Sequence, residues 1–196
     1  MNNVLKRLLT GAGIAVLCFG LQGCETAPLA PPDKLAQQDD VRDMVHKTLE
    51  QFYAENPDTR DAVSSAAGYA VFSDAGFKFI IGGGASGKGI AINNSTKQET
   101  FMKMIELQPG LGFGVSSFRV LFVFEWPQAY NDFVNSGWEW GANAMAAAKT
   151  TPKSGGAYAG AVNVSPGVFM YQLTEKGLIV GVSLTGAKFY KDSQLN

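Results

Sequence analysis

Glycine is absent between Cys24 and Ala67, yet nineteen glycines lie from Gly68 onward. Glycine weakens a helix or a strand unless the backbone must approach something closely or the sheet must bend. So sharp a boundary marks a change of architecture, with a helical segment before Gly68 and a glycine-punctuated sheet after it. Gly82, Gly83, Gly84, Gly87 and Gly89 cluster within one candidate hairpin, and Gly110, Gly112 and Gly114 alternate, so that on a strand they share one face. Both patterns suit a strongly curved, closed or half-closed sheet.

The apolar periodicity agrees. Val41, Met44, Val45, Leu49, Phe52 and Tyr53 recur at helical spacing, which predicts a helix over 41–55. Asp40 is its expected N-cap, and Asp43 favours the helix dipole. Asn56-Pro57 ends this helix and starts a second, expected to run to about Ala67 with Gly68 as its C-terminal cap. Strands are expected at Tyr69–Phe72, Phe77–Ile81, Gly89–Ile92, Phe101–Leu107, Arg119–Glu125, Val168–Leu173 and Leu178–Phe189. The unbroken apolar run Val120–Phe124 suits a central strand covered on both faces. Pro127 opens a short helix carrying Tyr130, Phe133 and Val134, and Gly137 stops it. Glu175-Lys176-Gly177 predicts a tight antiparallel hairpin. Ala142–Ala148 reads equally as helix or strand. The fold class expected is α+β, with N-terminal helices packed on a curved antiparallel β-sheet or small barrel.

The first residues have a different character. Lys6 and Arg7 precede a mostly apolar, uncharged stretch from Leu8 to Leu21, and Leu21-Gln22-Gly23-Cys24 closes it. This is the pattern of a secretory signal, too short and wrongly flanked for a spanning helix. Its end resembles a bacterial lipoprotein lipobox, although Gln22 stands where a small or branched residue is usual. The expectation is removal of residues 1–23, acylation of Cys24, a proline-rich tether over 24–38 and a folded domain over 39–196. An ordinary signal peptide with a chance cysteine and an uncleaved anchor are the alternatives. Glu25, rather than aspartate, follows the cysteine, which points to the outer membrane of a bacterial envelope, on its periplasmic side or exposed at the surface. Cys18 leaves with the signal, so no disulfide can form and stability must come from packing.

Composition excludes several functions. The sixteen bases and seventeen acids give a net charge of −1, with no clustered basic face to suit nucleic acid. The charge is uneven: residues 25–61 hold nine acids and four bases, residues 62–196 eight acids and ten bases. Gly82-x-x-x-x-Gly87-Lys88 resembles a phosphate loop, but Gly89 replaces the magnesium-binding hydroxyl and a strand pattern follows instead of a helix. Gly110-x-Gly-x-Gly is too closely spaced for a dinucleotide fingerprint. His46 is the only histidine, leaving metal centres and histidine-activated nucleophiles without support. Glu125, Asp132 and Glu139 have no paired spacing. No catalytic residue, metal or cofactor is expected. Trp126, Trp138 and Trp140 surround the short helix, and Trp126 is expected in the core.

Several motifs follow one another in a familiar order. These are Gly68-Tyr-Ala-Val-Phe72, Ala75-Gly-Phe77, Gly82-Gly-Gly-Ala-Ser-Gly-Lys-Gly89, Gly110-Leu-Gly-Phe-Gly114, Phe133-Val-Asn-Ser-Gly-Trp138 and Gly177-Leu-Ile-Val-Gly-Val-Ser-Leu-Thr-Gly186. Together, over about residues 40–190, they resemble the SYLF domain family. The resemblance implies a non-enzymatic module that binds anionic phospholipid or another lipidic ligand. Eukaryotic members are linked to phosphoinositides and, in fungi, to actin. Actin is the weaker expectation for a bacterial envelope protein, and the acidic segment before residue 62 departs from the basic segment eukaryotic members can use. Lys78, Lys88, Lys149 and Lys153, near turns or glycines, are the candidate headgroup contacts. The alternative function is an envelope adaptor for a protein or glycan, with lipid serving only as anchor.

Overall fold

A computed structural model describes residues 29–73, 84–107, 118–140, 158–174, 177–179 and 187–196. Its elements run in the order α1 (Pro31–Glu55), α2 (Asp58–Ser65), β1 (Gly68–Ser73), β2 (Gly84–Asn93), β3 (Glu99–Leu107), β4 (Phe118–Phe124), α3 (Pro127–Ser136), β5 (Trp138–Trp140), β6 (Val162–Ser165), β7 (Val168–Thr174), β8 (Gly177–Ile179) and β9 (Ala187–Lys191). The fold is α+β, as expected. The expected segments at Phe77–Ile81, Gly110–Gly114 and Ala142–Ala148 lie outside the described residues.

The described strands form one antiparallel sheet in the order β5-β9-β3-β2-β1-β4-β7-β6, and β8 also pairs with β7. It is strongly curled. In a flat sheet β4 and β9, four strands apart, would be separated by about 19 Å. Yet the Phe122 and Phe189 rings meet with centroids 5.0 Å apart, and Phe72 of β1 lies 4.8 Å from Phe189. The concave face thus closes on an aromatic cluster of Phe72, Phe122, Phe124, Phe133 and Phe189. Helix α3 plugs it with Tyr130, Phe133 and Val134. The convex face is covered by α1 and α2, which bury Val41, Val45, Phe52, Ala62 and Val63 against Val71, Ile90, Leu121, Val123, Tyr171 and Leu173.

The glycines of β2 permit the curl. Gly89 faces the concave side, where a Cβ would stand 2.2 Å from the Val71 carbonyl oxygen and 2.5 Å from the Phe72 ring. The two strands approach too closely there for any side chain. The run Val120–Phe124 is fully buried, as its composition implied.

The structure differs from expectation at two helix boundaries and at one tryptophan. First, α1 starts at Pro31, not after Asp40, so Asp40 is an interior residue and no N-cap. Proline lacks the N–H that a first turn leaves unpaired, so Pro31 and Pro32 at its first positions start the helix instead of blocking it. The extra turns carry no apolar period because they dock through polar groups: Lys34 Nζ donates to the Asn196 carbonyl and Gln38 Nε2 to the Leu195 carbonyl, each at 2.7 Å. Second, α2 ends at Ser65, and Gly68 opens β1 rather than capping it. Asn94 Nδ2 takes over the capping task by donating to the Val63 and Ala66 carbonyls. Third, Trp126 is 43% exposed. It is the residue before α3, and its extended backbone (φ −132°, ψ 157°) turns the ring to the surface and not into the core. The stop at Gly137 (φ +69°) and the β7–β8 hairpin, with Thr174 opposite Gly177, are as expected.

Leu121→Asp and Phe122→Asp, one per core, should each abolish folding. A buried unpaired carboxylate costs several kcal/mol, comparable to the stability of a domain. Gly89→Ala should cost about 1–3 kcal/mol through overpacking. Urea unfolding followed by circular dichroism measures all three. An unchanged midpoint for Gly89→Ala would contradict the close approach of β1 and β2.

Candidate functional site

Strand register builds a polar row across the convex face. Arg119 of β4 pairs with Ser73 of β1, Ser73 with Lys88 of β2, Lys88 with Lys103 of β3, and Lys103 with Tyr190 of β9. Side chains at directly paired positions lie on the same face, and these share the face of Val71, Ile90 and Leu121 that α1 covers. Lys88 and Lys103 are therefore direct cross-strand neighbours of like charge, an arrangement that is destabilising unless it is compensated.

The compensation is visible. Lys88 Nζ donates to Gln37 Oε1 of α1 at 3.1 Å. Lys103 Nζ lies 3.1 Å from Asp192 Oδ1, a carboxylate whose side chain is only 1% exposed. Asp192 Oδ1 also accepts the Gln194 backbone N–H. Between α1 and this row lies a cleft of about 600 Å³. Lys88, Lys103 and Tyr190 line it from the sheet, Val41 and Met44 from the helix, and Asp40 brings one opposing carboxylate. A second, smaller cleft extends the same interface towards Arg119, with Asp40, Asp43 and Lys47 on the helix side. The arrangement can hold an anion beside apolar surface, with acidic groups of α1 competing for the same cations.

Of the four lysines proposed from the sequence as headgroup contacts, only Lys88 is among the described residues, and it belongs to this site. It sits within a strand, half-buried and hydrogen-bonded, and not on an exposed glycine loop. Strand β2 runs on from Lys88 to Asn93, which removes the helix N-terminus a phosphate loop needs. Lys78, Lys149, Lys153 and the acylation candidate Cys24 lie outside the described residues. His46, Glu125, Asp132 and Glu139 are all exposed, on separate elements. The structure adds Lys103 and Arg119, which sequence reading missed. Their only sequence signal was a cation inside a strand pattern, and the row appears only once the register is known.

Elsewhere burial perturbs tyrosines. Tyr69, half-buried between α1 and the sheet, is pushed up to about 12, first by desolvation and then by the nearby Tyr53 and Glu99. Desolvation likewise raises Tyr171 in the convex core. Both stay neutral at physiological pH and act as packing groups, since a titrating group there would need a value near 7. No helix among the described residues is long and apolar enough to cross a membrane.

Residues 105–196 match the family described as "Ysc84: Las17-binding protein actin regulator", which carries the SYLF domain. This stretch, just under half of the chain, is similar to the SYLF family. Beta cell expansion factor A of Aeromonas veronii is 28% identical over 156 residues, which is 79% of this chain and 57% of that protein. The likeness is longer than the family match, so it reaches into the part before residue 105. The chain thus spans little more than half the length of the relative. The SYLF family is not a known enzyme family, and its description names a regulator and not a catalyst. Within the matched stretch lie β4, the plugging helix α3 and every strand after it. Of the cationic row, Arg119 and Tyr190 fall inside the match, while Lys88 and Lys103 precede it.

Removing the Lys103 ammonium leaves Asp192 buried and partly unpaired. Lys103→Met should therefore lower stability by on the order of 2 kcal/mol, the cost of orphaning a buried charged acceptor. Lys103→Arg should recover much of it. Thermal unfolding of the three proteins gives the comparison, and equal midpoints would show that the pair contributes nothing.

Proposed function

We propose that this chain is a non-enzymatic envelope lipoprotein whose SYLF domain binds anionic phospholipid or a chemically similar amphiphile. The observation that carries this reading is the in-register row Arg119–Ser73–Lys88–Lys103–Tyr190 beside an apolar cleft under α1. An anionic headgroup would lie against the cations of the row, and acyl carbons suit Val41 and Met44. The SYLF assignment supports a lipid-binding or regulator-like role in the same direction. The signal-like start and Gly23-Cys24 support anchoring through acylated Cys24 in the outer membrane. Several buried acyl chains anchor far more firmly than one.

Two measurements test the reading. The chain from residue 24 carrying Cys24→Ser, free of its acyl anchor, should sediment with vesicles containing phosphatidylglycerol and ignore neutral vesicles. Binding should weaken as salt rises. Each cation near an anionic surface contributes about 1 kcal/mol, or roughly fivefold. Lys88→Gln with Arg119→Gln should therefore weaken binding by about 25-fold, and Lys149→Gln with Lys153→Gln should weaken it in the same direction. Lys34→Gln, at a position that lines neither cleft, should do little. Failure to bind anionic vesicles at low salt ends the lipid reading and leaves the adaptor role. For the anchor, mass spectrometry of the mature protein should find Cys24 at the N-terminus with acyl groups attached, and cleavage elsewhere would refute it.

A further inference from the structure

A second groove lies away from α1, between α3 and the turn that joins β6 to β7. Its volume is about 380 Å³, and Trp126, Gln128, Asp132, Ser136, Trp138 and Ser165 are among its lining. Its floor is the rim of the aromatic core, at Phe124, Phe133 and Val168.

Trp126 is 43% exposed. It is nonetheless held in place. Ser165-Pro166-Gly167-Val168 is a turn with proline second and a positive-φ glycine third (φ +69°), the requirements of a type II turn. The Glu125 N–H donates to the Gly167 carbonyl at 2.9 Å, fixing this turn to the end of β4. The indole lies so close to Gly167 that a Cβ there would stand 2.4 Å from Cε2 and Cζ2. A large aromatic surface is thus kept at the mouth of the groove by backbone that admits no side chain.

The polar groups are placed around it. Gln128 Nε2 donates to Asp132 Oδ1 at 2.7 Å, which orients the carboxylate while leaving it further acceptor sites. Ser136 and Ser165 add hydroxyls on the helix side and the turn side. Among the described lining residues there is one carboxylate and no cation, so the groove is unsuited to the phosphate that the row under α1 would take. Four hydrogen-bonding side chains are equally unsuited to an acyl chain, since burying them unpaired carries a penalty.

We propose that this groove binds a neutral pyranose sugar, as one unit of an oligosaccharide. A pyranose has an apolar C–H face and a rim of hydroxyls. The face matches the Trp126 platform and the Trp138 wall, and the rim matches Asp132, Gln128 and the two serines. The volume lies at the small end of ligand sites, sufficient for a sugar unit and short of a lipid tail bundle. The inference does not rest on the phospholipid reading, because it uses another face, another charge sign and other residues.

Isothermal titration of the full chain, kept in a detergent without a sugar headgroup, tests it with chitotriose, cellotriose and maltotriose. At least one should bind saturably in the millimolar range or tighter. Trp126→Ala should weaken that binding about tenfold, equivalent to ~1.4 kcal/mol, with Trp126→Phe intermediate. Asp132→Asn should weaken it too, while Lys88→Gln leaves it unchanged. Should Trp126→Ala fail to fold, Trp126→Phe and Asp132→Asn carry the comparison. The proposal is overturned if none of the three sugars gives heat, or if the Trp126 and Asp132 variants bind as the parent does. It is also overturned if choline chloride binds in a Trp126-dependent manner while the sugars do not, which would make the groove a site for an organic cation.

Discussion

Val120, Phe122 and Phe124 point into one apolar mass, and Leu121 and Val123 into another. Strand β4 is therefore the wall between two cores. Its neighbours share the division: in β1, Ala70 and Phe72 serve the concave core and Val71 the convex one, and in β7 Met170 opposes Tyr171 and Leu173. A slip of one residue along this central trio would exchange the two faces and put large rings where α1 and α2 must lie. Register is thus fixed by packing from both sides, and everything outside the trio is built on that alignment. The cationic row exists because the same register continues outward through β2, β3 and β9.

Much of this was legible in the sequence, for physical reasons. The uninterrupted run in β4 announces two-sided burial. Gly68 and later glycines announce a bent sheet, and Pro127 with Gly137 bounds α3 through chemistry local to each end. What failed was what depends on distant partners. The first turns of α1 carry no apolar period because Lys34 and Gln38 meet the carbonyls of Asn196 and Leu195, more than 150 residues away in sequence. Gly68 looks like a cap until Asn94 is seen supplying the cap from another strand. Trp126 looks like core because a tryptophan beside an apolar helix usually is, but its extended backbone turns the ring outward and the Pro166-Gly167 turn holds it there. The site was the least legible part. Lys88 stood out for its glycine neighbours, whereas Lys103 and Arg119 become its companions solely through pairing.

The two surfaces differ in kind. Beneath α1 the row is basic: Gln37 of the helix and Asp192 after β9 meet its lysines, and Asp40 and Asp43 line the clefts from the helix side. Beside α3 the groove is aromatic and weakly acidic, on a rigid turn. They occupy opposite faces of the sheet, so a ligand at one leaves the other open.

The early start of α1 changes the reach of the domain. With the helix beginning at Pro31, only seven chain steps separate it from Cys24. Fully extended, these span about 25 Å. On the proposed anchoring, the first turn of a rod about 38 Å long is leashed to within one bilayer thickness of the lipid surface. A longer tether would let the domain search the periplasmic space. On the same proposed anchoring, this one would confine it to a thin shell above the membrane, where the local concentration of headgroups is high and a partner must come to it.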